Sequence, residues 1–521
     1  MVVLGGCTKL GPDFQTPEPP PLPRAVQKKG DTESVAQWWK VFDDPVLEKL
    51  VHQAYAQNLD IQSAGLRILQ ARAALGIATG MQYPQKQTLS GSYTSSYKQN
   101  HLDAANVAFD TVWEMDLWGK YARGVESAEA SLYAAVASYR DIMVAVLAEV
   151  ARTYITYRTL EERIAYAKRN IAIQERVTRM TEIQFNSGNV SELDMQQSRT
   201  QLYNTRAALP ALELGKVQAI NALAVLLGTT PETVRRIVDI HDAKARDAVN
   251  RYIATGKKGV FQLLDKPEVL TDIRYVPSPR FDPAKPIDAA LLTQRPDVKV
   301  AEYRAHAASA QIGAKEALLY PSFTLFGSIG YSATSRNPYI PALTGWGSLG
   351  DNLTVAAGPG FSWNIFQYGR LKNQVRLQDA LLEESLVGYS KKVLQAAAEV
   401  SNALSAYVLT QKQLEERKKA LEATVRAFNI SITQYHDGLV SYQRLLSTVE
   451  KLTTIQDIYA QTNGALATDI VLLYKALGGG WQLSDGQAYL SRATVERLKR
   501  RGVDWGDMLD ANHTVMPKGW E

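Results

Sequence analysis

Two hydrophobic rhythms take turns along this chain. In Thr88 to Tyr97, Leu89, Gly91, Tyr93, Ser95 and Tyr97 alternate with Thr88, Ser90, Ser92, Thr94 and Ser96. In Asn106 to Leu117, Val107, Phe109, Thr111, Trp113, Met115 and Leu117 alternate with Asn106, Ala108, Asp110, Val112, Glu114 and Asp116. A period of two puts successive side chains on opposite faces of a strand, so both segments predict strands with one apolar, aromatic face. The pattern returns as Phe323, Leu325, Gly327, Ile329 and Tyr331 against mainly Ser322, Thr324 and Ser328. It returns again as Leu353, Val355, Phe361, Trp363 and Ile365 against Asn352, Thr354, Ser362 and Asn364. Pro359 fits this last segment poorly, because it has no N–H for a ladder. A soluble sheet packed on one face and a transmembrane barrel both produce such alternation.

The second rhythm has a period of seven. Val393, Val400, Tyr407, Leu414, Leu421, Phe428 and Tyr435 recur at every seventh position, as do Met143, Val150, Tyr157, Ile164, Ile171, Thr178 and Phe185. A 3.5-residue repeat marks coiled-coil packing. The alternate seam position is partly charged, with Glu161, Lys168, Glu175 and Glu182 in the first set, so the seam is half apolar and half wet. No proline interrupts Gly119 to Asn186, which predicts one helix about 100 Å long at 1.5 Å per residue. Gly188 and Gly438 predict the turns that end these rods, and Ser191 and Ser441 the N-caps of the helices that return.

Strands and rods occur twice because the chain is duplicated. Asn58-Leu59-Asp60 through Tyr83-Pro84 reappears 237 residues later as Arg295-Pro296-Asp297 through Tyr320-Pro321. Beyond it the offset is 250: Trp113 and Trp363, Gly119 and Gly369, Tyr157 and Tyr407, Gly188 and Gly438, Leu227-Gly228 and Leu477-Gly478. The duplication predicts repeat 1 over 45–228, with a strand hairpin at 88–117 and a helical hairpin at 119–227. Repeat 2 covers 287–478, with the corresponding hairpins at 322–366 and 369–477. Residues 229–286 separate the repeats and 479–521 follow them.

Composition narrows the reading. A chain of 521 residues with 45% hydrophobic residues and a net charge of +5 is neither disordered nor built for nucleic acid. The six histidines are scattered, no helix carries paired metal ligands and no nucleophile motif is present, so neither enzyme activity nor a metal site is expected. No unbroken run of about 18 apolar residues exists, which argues against a transmembrane helix. Four strands cannot close a barrel, and open edges are not tolerated in hydrocarbon. A membrane-spanning sheet therefore needs further copies of the chain, and three copies, giving twelve strands, are the fewest that leave a passage.

The lone Cys7 excludes an intrachain disulfide. Small residues precede it and a Pro-rich stretch follows, a pattern similar to a lipoprotein cleavage box (1–7) and an extended tether (8–44). Six preceding residues are too few for a signal peptide, so the start is expected to be truncated. A covalent lipid on Cys7 is expected, with no other cofactor.

Cys7-Thr8-Lys9-Leu10-Gly11-Pro12-Asp13-Phe14, Trp38-Trp39, Asn58-Leu59-Asp60-Ile61, Trp113 to Lys120 and Arg295-Pro296-Asp297-Val298 resemble the outer-membrane factors of tripartite efflux systems. These are the TolC-like family, and within it the NodT-like lipoprotein branch. The resemblance implies a mainly α fold with a β-barrel portion: a homotrimer forming a 12-stranded barrel in the bacterial outer membrane and a 12-helix periplasmic tunnel. It implies a passive conduit that docks a periplasmic adaptor (membrane fusion protein) and an inner-membrane RND transporter, and contacts outer-membrane lipid. Residues 229–286 and 479–521 are expected to wrap the tunnel's middle, and Ala333 to Gly350 to face outside.

In this family the tunnel closes at the periplasmic tip, beside turns that map here to Gly188, Asp437 and Gly438. The usual acidic position is occupied here by Ser447, with Gln443, Arg444 and Glu450 nearby. Arg444 and Asp194 are equivalent in the two repeats, and their alternation around the aperture could latch it. Rival readings are a conduit for one-step protein secretion and a soluble structural coiled coil.

Overall fold

The computed structural model describes residues 8–20, 33–97, 101–239, 275–279, 281, 289–336, 342 and 352–517. Cys7, most of the segment between the repeats and most of 333–350, the stretch expected to face outside, lie outside them, while Ala333 to Ser335 belong to a strand. The expected fold class holds: long helices dominate, and four strands form one antiparallel sheet in the order β1 (Lys86–Tyr97), β2 (His101–Met115), β3 (Ser322–Ser335) and β4 (Leu353–Ser362). The compact units cut across the repeats. One comprises 8–20, 66–138 and 297–392, with the whole sheet; the other comprises the described parts of 21–65, 139–296 and 393–521.

Two strand boundaries differ from the alternation. β2 begins at His101, whereas the sequence pattern starts it at Asn106. Asp103 and the small Ala104 and Ala105 hide the period of two there. Pro359 lies inside β4, opposite Leu325, in the strand that forms one edge of the single chain's sheet.

Each repeat contains one 67-residue rod, Lys120–Asn186 and Arg370–His436, and one 35-residue return helix, Glu192–Leu226 and Tyr442–Ala476. All four end in the same way. At Gly188 and Gly438 the backbone is left-handed (φ 75° and 72°), the glycine N–H bonds the carbonyl three residues back, and the next N–H reaches five residues back. Gly228 and Gly478 repeat the arrangement. This double bond satisfies carbonyls that a helix end would leave open. Asn58 and Arg295, equivalent in the duplication, each donate to the last helical carbonyl of a return helix, Leu226 and Ala476, at 2.8 and 2.6 Å.

The two hairpins are stabilised differently. In the second, the seven-residue line is buried almost throughout: Val393, Val400, Tyr407, Leu421, Phe428 and Tyr435 are at most 7% exposed. They continue into a cluster with Tyr442, Leu445, Val449 and Leu452 of the return helix and Ile173 and Val177 of the first rod. In the first, the line is buried at Met143, Val150, Tyr157 and Thr178 and half-buried at Ile164, Ile171 and Phe185. The charged seam positions there pair with the return helix: Glu161 with Lys216, Lys168 with Glu213, Glu175 with Arg206 and Glu182 with Arg199, at 2.6, 3.4, 2.6 and 2.9 Å.

The return helix Glu192–Leu226 is long and apolar enough on average to cross a membrane, which corrects the expectation drawn from unbroken runs. Glu213 and Lys216 interrupt its apolar stretch. Tyr203, Leu214, Val217 and Val225 stand exposed on it.

Residues 479–517 fold back onto the unit that holds both hairpin turns. Arg140, fully buried, donates to Asp485 and to the Pro517 carbonyl and lies 4.4 Å from the Trp481 ring centroid. Gly486 and Met516 close the tail on itself through backbone bonds.

Candidate functional site

The sheet separates most of its side chains by polarity, with Asp103 on the apolar face and Phe326 on the polar face as exceptions. Across all four strands, Leu89, Phe109, Ile329 and Val355 form one row, and Gly91, Val107, Tyr331 and Leu353 the next. This face is exposed in the single chain: Leu89 is 74%, Tyr97 83%, Val355 66% and Phe361 75% exposed. The opposite face runs Thr88, Asp110, Ser328, Ala356 and then Ser90, Ala108, Gly330, Thr354. Ser328 donates to Asp110 at 2.7 Å. Among the described residues no strand pairs with the outer edge of β1 or of β4. An apolar face of this size and two open ladders are both costly in water.

Aromatic residues mark the end of the sheet where the chain enters β1. Trp113 and Trp363, equivalent in the duplication, donate their indole N–H to the Gln82 and Leu319 carbonyls at 3.1 and 3.0 Å, positions that are themselves equivalent. Trp118 donates to Pro321 at 2.7 Å and stacks on Tyr320. Aromatic residues with one satisfied polar tip are characteristic of a membrane interface.

The segment from Thr8 to Pro20 is strapped to this end. Arg123, 1% exposed, donates to the Leu10 and Gly11 carbonyls and pairs with Asp13 and Glu126 at 2.9 Å each. Leu10 donates its N–H to Trp118. Gly119, at φ 75°, is required here twice over, since a Cβ would stand 2.8 Å from the Lys9 Cα. Phe14 stacks on His306 with 4.7 Å between centroids.

At the hairpin turns the structure places the remaining sequence-predicted residues. Asp194 is engaged locally: Ser191 caps the return helix by accepting from the Asp194 N–H, while the Asp194 carboxylate accepts from the Ser191 N–H and hydroxyl. Ser441 occupies the equivalent cap position but its side chain makes no capping bond. Arg444, Gln443 and Glu450 are exposed and Ser447 is half-buried. Asp194 and Arg444 do not pair within the chain. Asp437 lies 3.1 Å from the His436 ring. Beneath the turns Tyr435 and Tyr442 meet edge to face, and burial pushes the Tyr442 hydroxyl up to about 12.

Glu162 is buried on the first rod, where burial raises its carboxyl to about 7 and a bond from Asn463 only partly opposes the rise. Around it Arg163 pairs with Asp457 at 2.6 Å, Asn170 bonds Gln456 at 2.8 Å, and Gly464 lets the return helix approach Thr159. A carboxylate among heptad positions gives no sign of its burial. Among the described residues, no three His, Cys, Asp or Glu side chains are grouped to hold a metal ion.

A family model described as outer membrane efflux protein matches residues 50–229 and 289–479. The probable outer membrane lipoprotein SilC of Salmonella typhimurium is 26% identical over 490 residues, covering 92% of this chain and 97% of SilC. Nodulation protein T of Rhizobium leguminosarum bv. trifolii is 28% identical over 491 residues, covering 92% and 96%. Among solved structures, the outer-membrane channel OprN superposes with a TM-score of 0.73 at 27% identity, covering 91% of this chain and 99% of OprN.

Proposed function

The chain belongs to the outer membrane efflux protein family, and on that premise we propose that it is the passive exit conduit of a tripartite pump. It is an outer-membrane channel component of an efflux system. In this reading three copies join edge to edge, β4 of one to β1 of the next, so that twelve strands close into a barrel. The apolar face meets lipid and the polar face lines the bore. The helical hairpins of the three copies form the periplasmic tunnel. A periplasmic adaptor and an inner-membrane transporter of the RND class supply substrate and energy. A lipid on Cys7, just before the strap that Arg123 holds, anchors the chain to the membrane.

One observation carries this reading: an aromatic face exposed across four strands whose two edges are open. Closure removes both liabilities at once, because lipid covers the face and each edge finds a partner. Reconstitution into planar bilayers tests it. Stepwise conductance from detergent-purified protein is expected. A monomer that stays in water without detergent and opens no pore would contradict it.

A further inference from the structure

From the duplication we infer that Tyr368 of one copy stacks on Tyr83 of the next, an aromatic clasp across the seam between copies. The inference rests on the channel reading above and deepens it, because the site is incomplete without a second chain. One such joint is already finished inside the chain. Just past β2, Trp118 reaches the start of the neighbouring hairpin, stacking on Tyr320 with 4.9 Å between centroids and donating to the Pro321 carbonyl at 2.7 Å. The same parts occur a second time: Trp118-Gly119 corresponds to Tyr368-Gly369 at an offset of 250, and Tyr320-Pro321 to Tyr83-Pro84 at 237. Within one chain these second parts belong to opposite edges of the sheet, Tyr368 following β4 and Tyr83 preceding β1. Closure sets β4 of one copy beside β1 of the next, as β2 lies beside β3, and so sets Tyr368 against Tyr83 as Trp118 is set against Tyr320.

Burial distinguishes the finished joint from the open one. Tyr320 is 39% exposed beside Trp118, whereas Tyr83 is 65% exposed. Gly119 is buried and Gly369 exposed. Tyr368 stands fully exposed on a left-handed backbone, φ 48°, which a bulky side chain rarely adopts. The strap, moreover, fastens only the first joint: Leu10 donates to the Trp118 carbonyl, and Arg123 holds the Leu10 and Gly11 carbonyls. At the second joint Asn373 takes the place of Arg123, and it lacks the guanidinium fork for that grip. The seam between copies therefore relies on the aromatic pair.

Cross-linking tests the inference. A chain carrying both Tyr83→Cys and Tyr368→Cys, treated in membranes with a short bis-maleimide, should give covalent dimers and trimers. Either substitution alone, with Cys7 still present, should give neither. Should the double-cysteine variant fail to assemble, an alanine cycle decides. A departing copy breaks two clasps, so Tyr83→Ala or Tyr368→Ala should speed dissociation of the oligomer in detergent by roughly tenfold or more, and the double variant no further. Tyr368→Trp, which rebuilds the first joint, should keep the oligomer at least as long-lived as the wild type. An intact oligomer without the double-cysteine link, or alanine effects that add, overturns the inference and leaves both rings as separate anchors facing lipid, with the channel still standing. Absence of any oligomer from wild-type protein would instead remove the edge-to-edge reading, and this inference with it.

Discussion

Removing Glu161 and removing Glu182 break two ion pairs that look alike on the first rod, yet their consequences differ by more than an order of magnitude. Glu182 pairs with Arg199 at 2.9 Å, and both side chains are more than a third exposed. Such a pair contributes about 0.2–1 kcal/mol. Glu161 is 8% exposed and accepts from Tyr157 at 2.9 Å, Arg158 at 2.8 Å and Lys216 at 2.6 Å. Arg158 is itself only 6% exposed, so Glu161→Ala takes the carboxylate at 2.8 Å from a buried guanidinium and from Lys216 beside it. Breaking a buried pair from one side costs about 3–5 kcal/mol. The Tyr154 hydroxyl, 2.9 Å from Arg158 Nε, keeps the cost near the lower figure. The assay is amide hydrogen exchange of the protein in detergent, read on peptides of the first hairpin, because local opening reports the stability of that element alone. At 1.4 kcal/mol per tenfold, Glu161→Ala should speed exchange about 100-fold around residues 154–165, and Glu182→Ala by about fivefold or less. Equal acceleration in both variants would refute the distinction between buried and exposed pairs.

Three further outcomes follow from the same contacts. Glu162, raised to about 7 by burial, is protonated in the folded rod and ionised in the unfolded chain between its ordinary value near 4.5 and pH 7. Its contribution is thus fully present below about pH 4.5 and is lost as pH rises through 7, by about 3 kcal/mol at most. Glu162→Gln should flatten hydrogen exchange of the surrounding helix between pH 5 and pH 8. Gly119→Ala, strained by its left-handed backbone and by the approach of Lys9, should release the strap and expose 8–20 to protease. Gly188→Ala, with the same φ but open space around it, should cost only the conformational penalty of about 1–2 kcal/mol and leave the strap protected. For the latch at the tips, Arg444→Ala is the cleaner test, because Asp194 also caps its own helix. Raised resting conductance is expected, and an unchanged one removes Arg444 from the gate.

Much of this architecture is legible from spacing alone. The rods end where glycine follows a proline-free seven-residue repeat, and the strands lie where the period falls to two, because both signals are local. What escaped depends on partners distant in sequence. The charged seam at Glu161, Lys168, Glu175 and Glu182 reads as wet, but its pairing with Lys216, Glu213, Arg206 and Arg199 needs the antiparallel register. Arg123 holds the strap largely through backbone carbonyls, which no side-chain pattern encodes. Asp194 is the instructive case. Its equivalence to Arg444 is visible in the duplication, yet so is the Ser191-x-x-Asp194 spacing of a capping box, and the structure uses that local role.

Edge-to-edge closure is tested most directly by disulfide trapping between cysteines introduced on the outer positions of β1 and β4. Within one chain these strands are separated by β2 and β3, about 14 Å at the usual strand spacing, twice the roughly 7 Å that a disulfide can bridge. Any β1–β4 disulfide therefore joins two copies. The account predicts, in some register, a covalent ladder in membranes of dimer and trimer that ends at three. A ladder continuing past three, or no bridge in any register from protein that resides in the membrane, would contradict it.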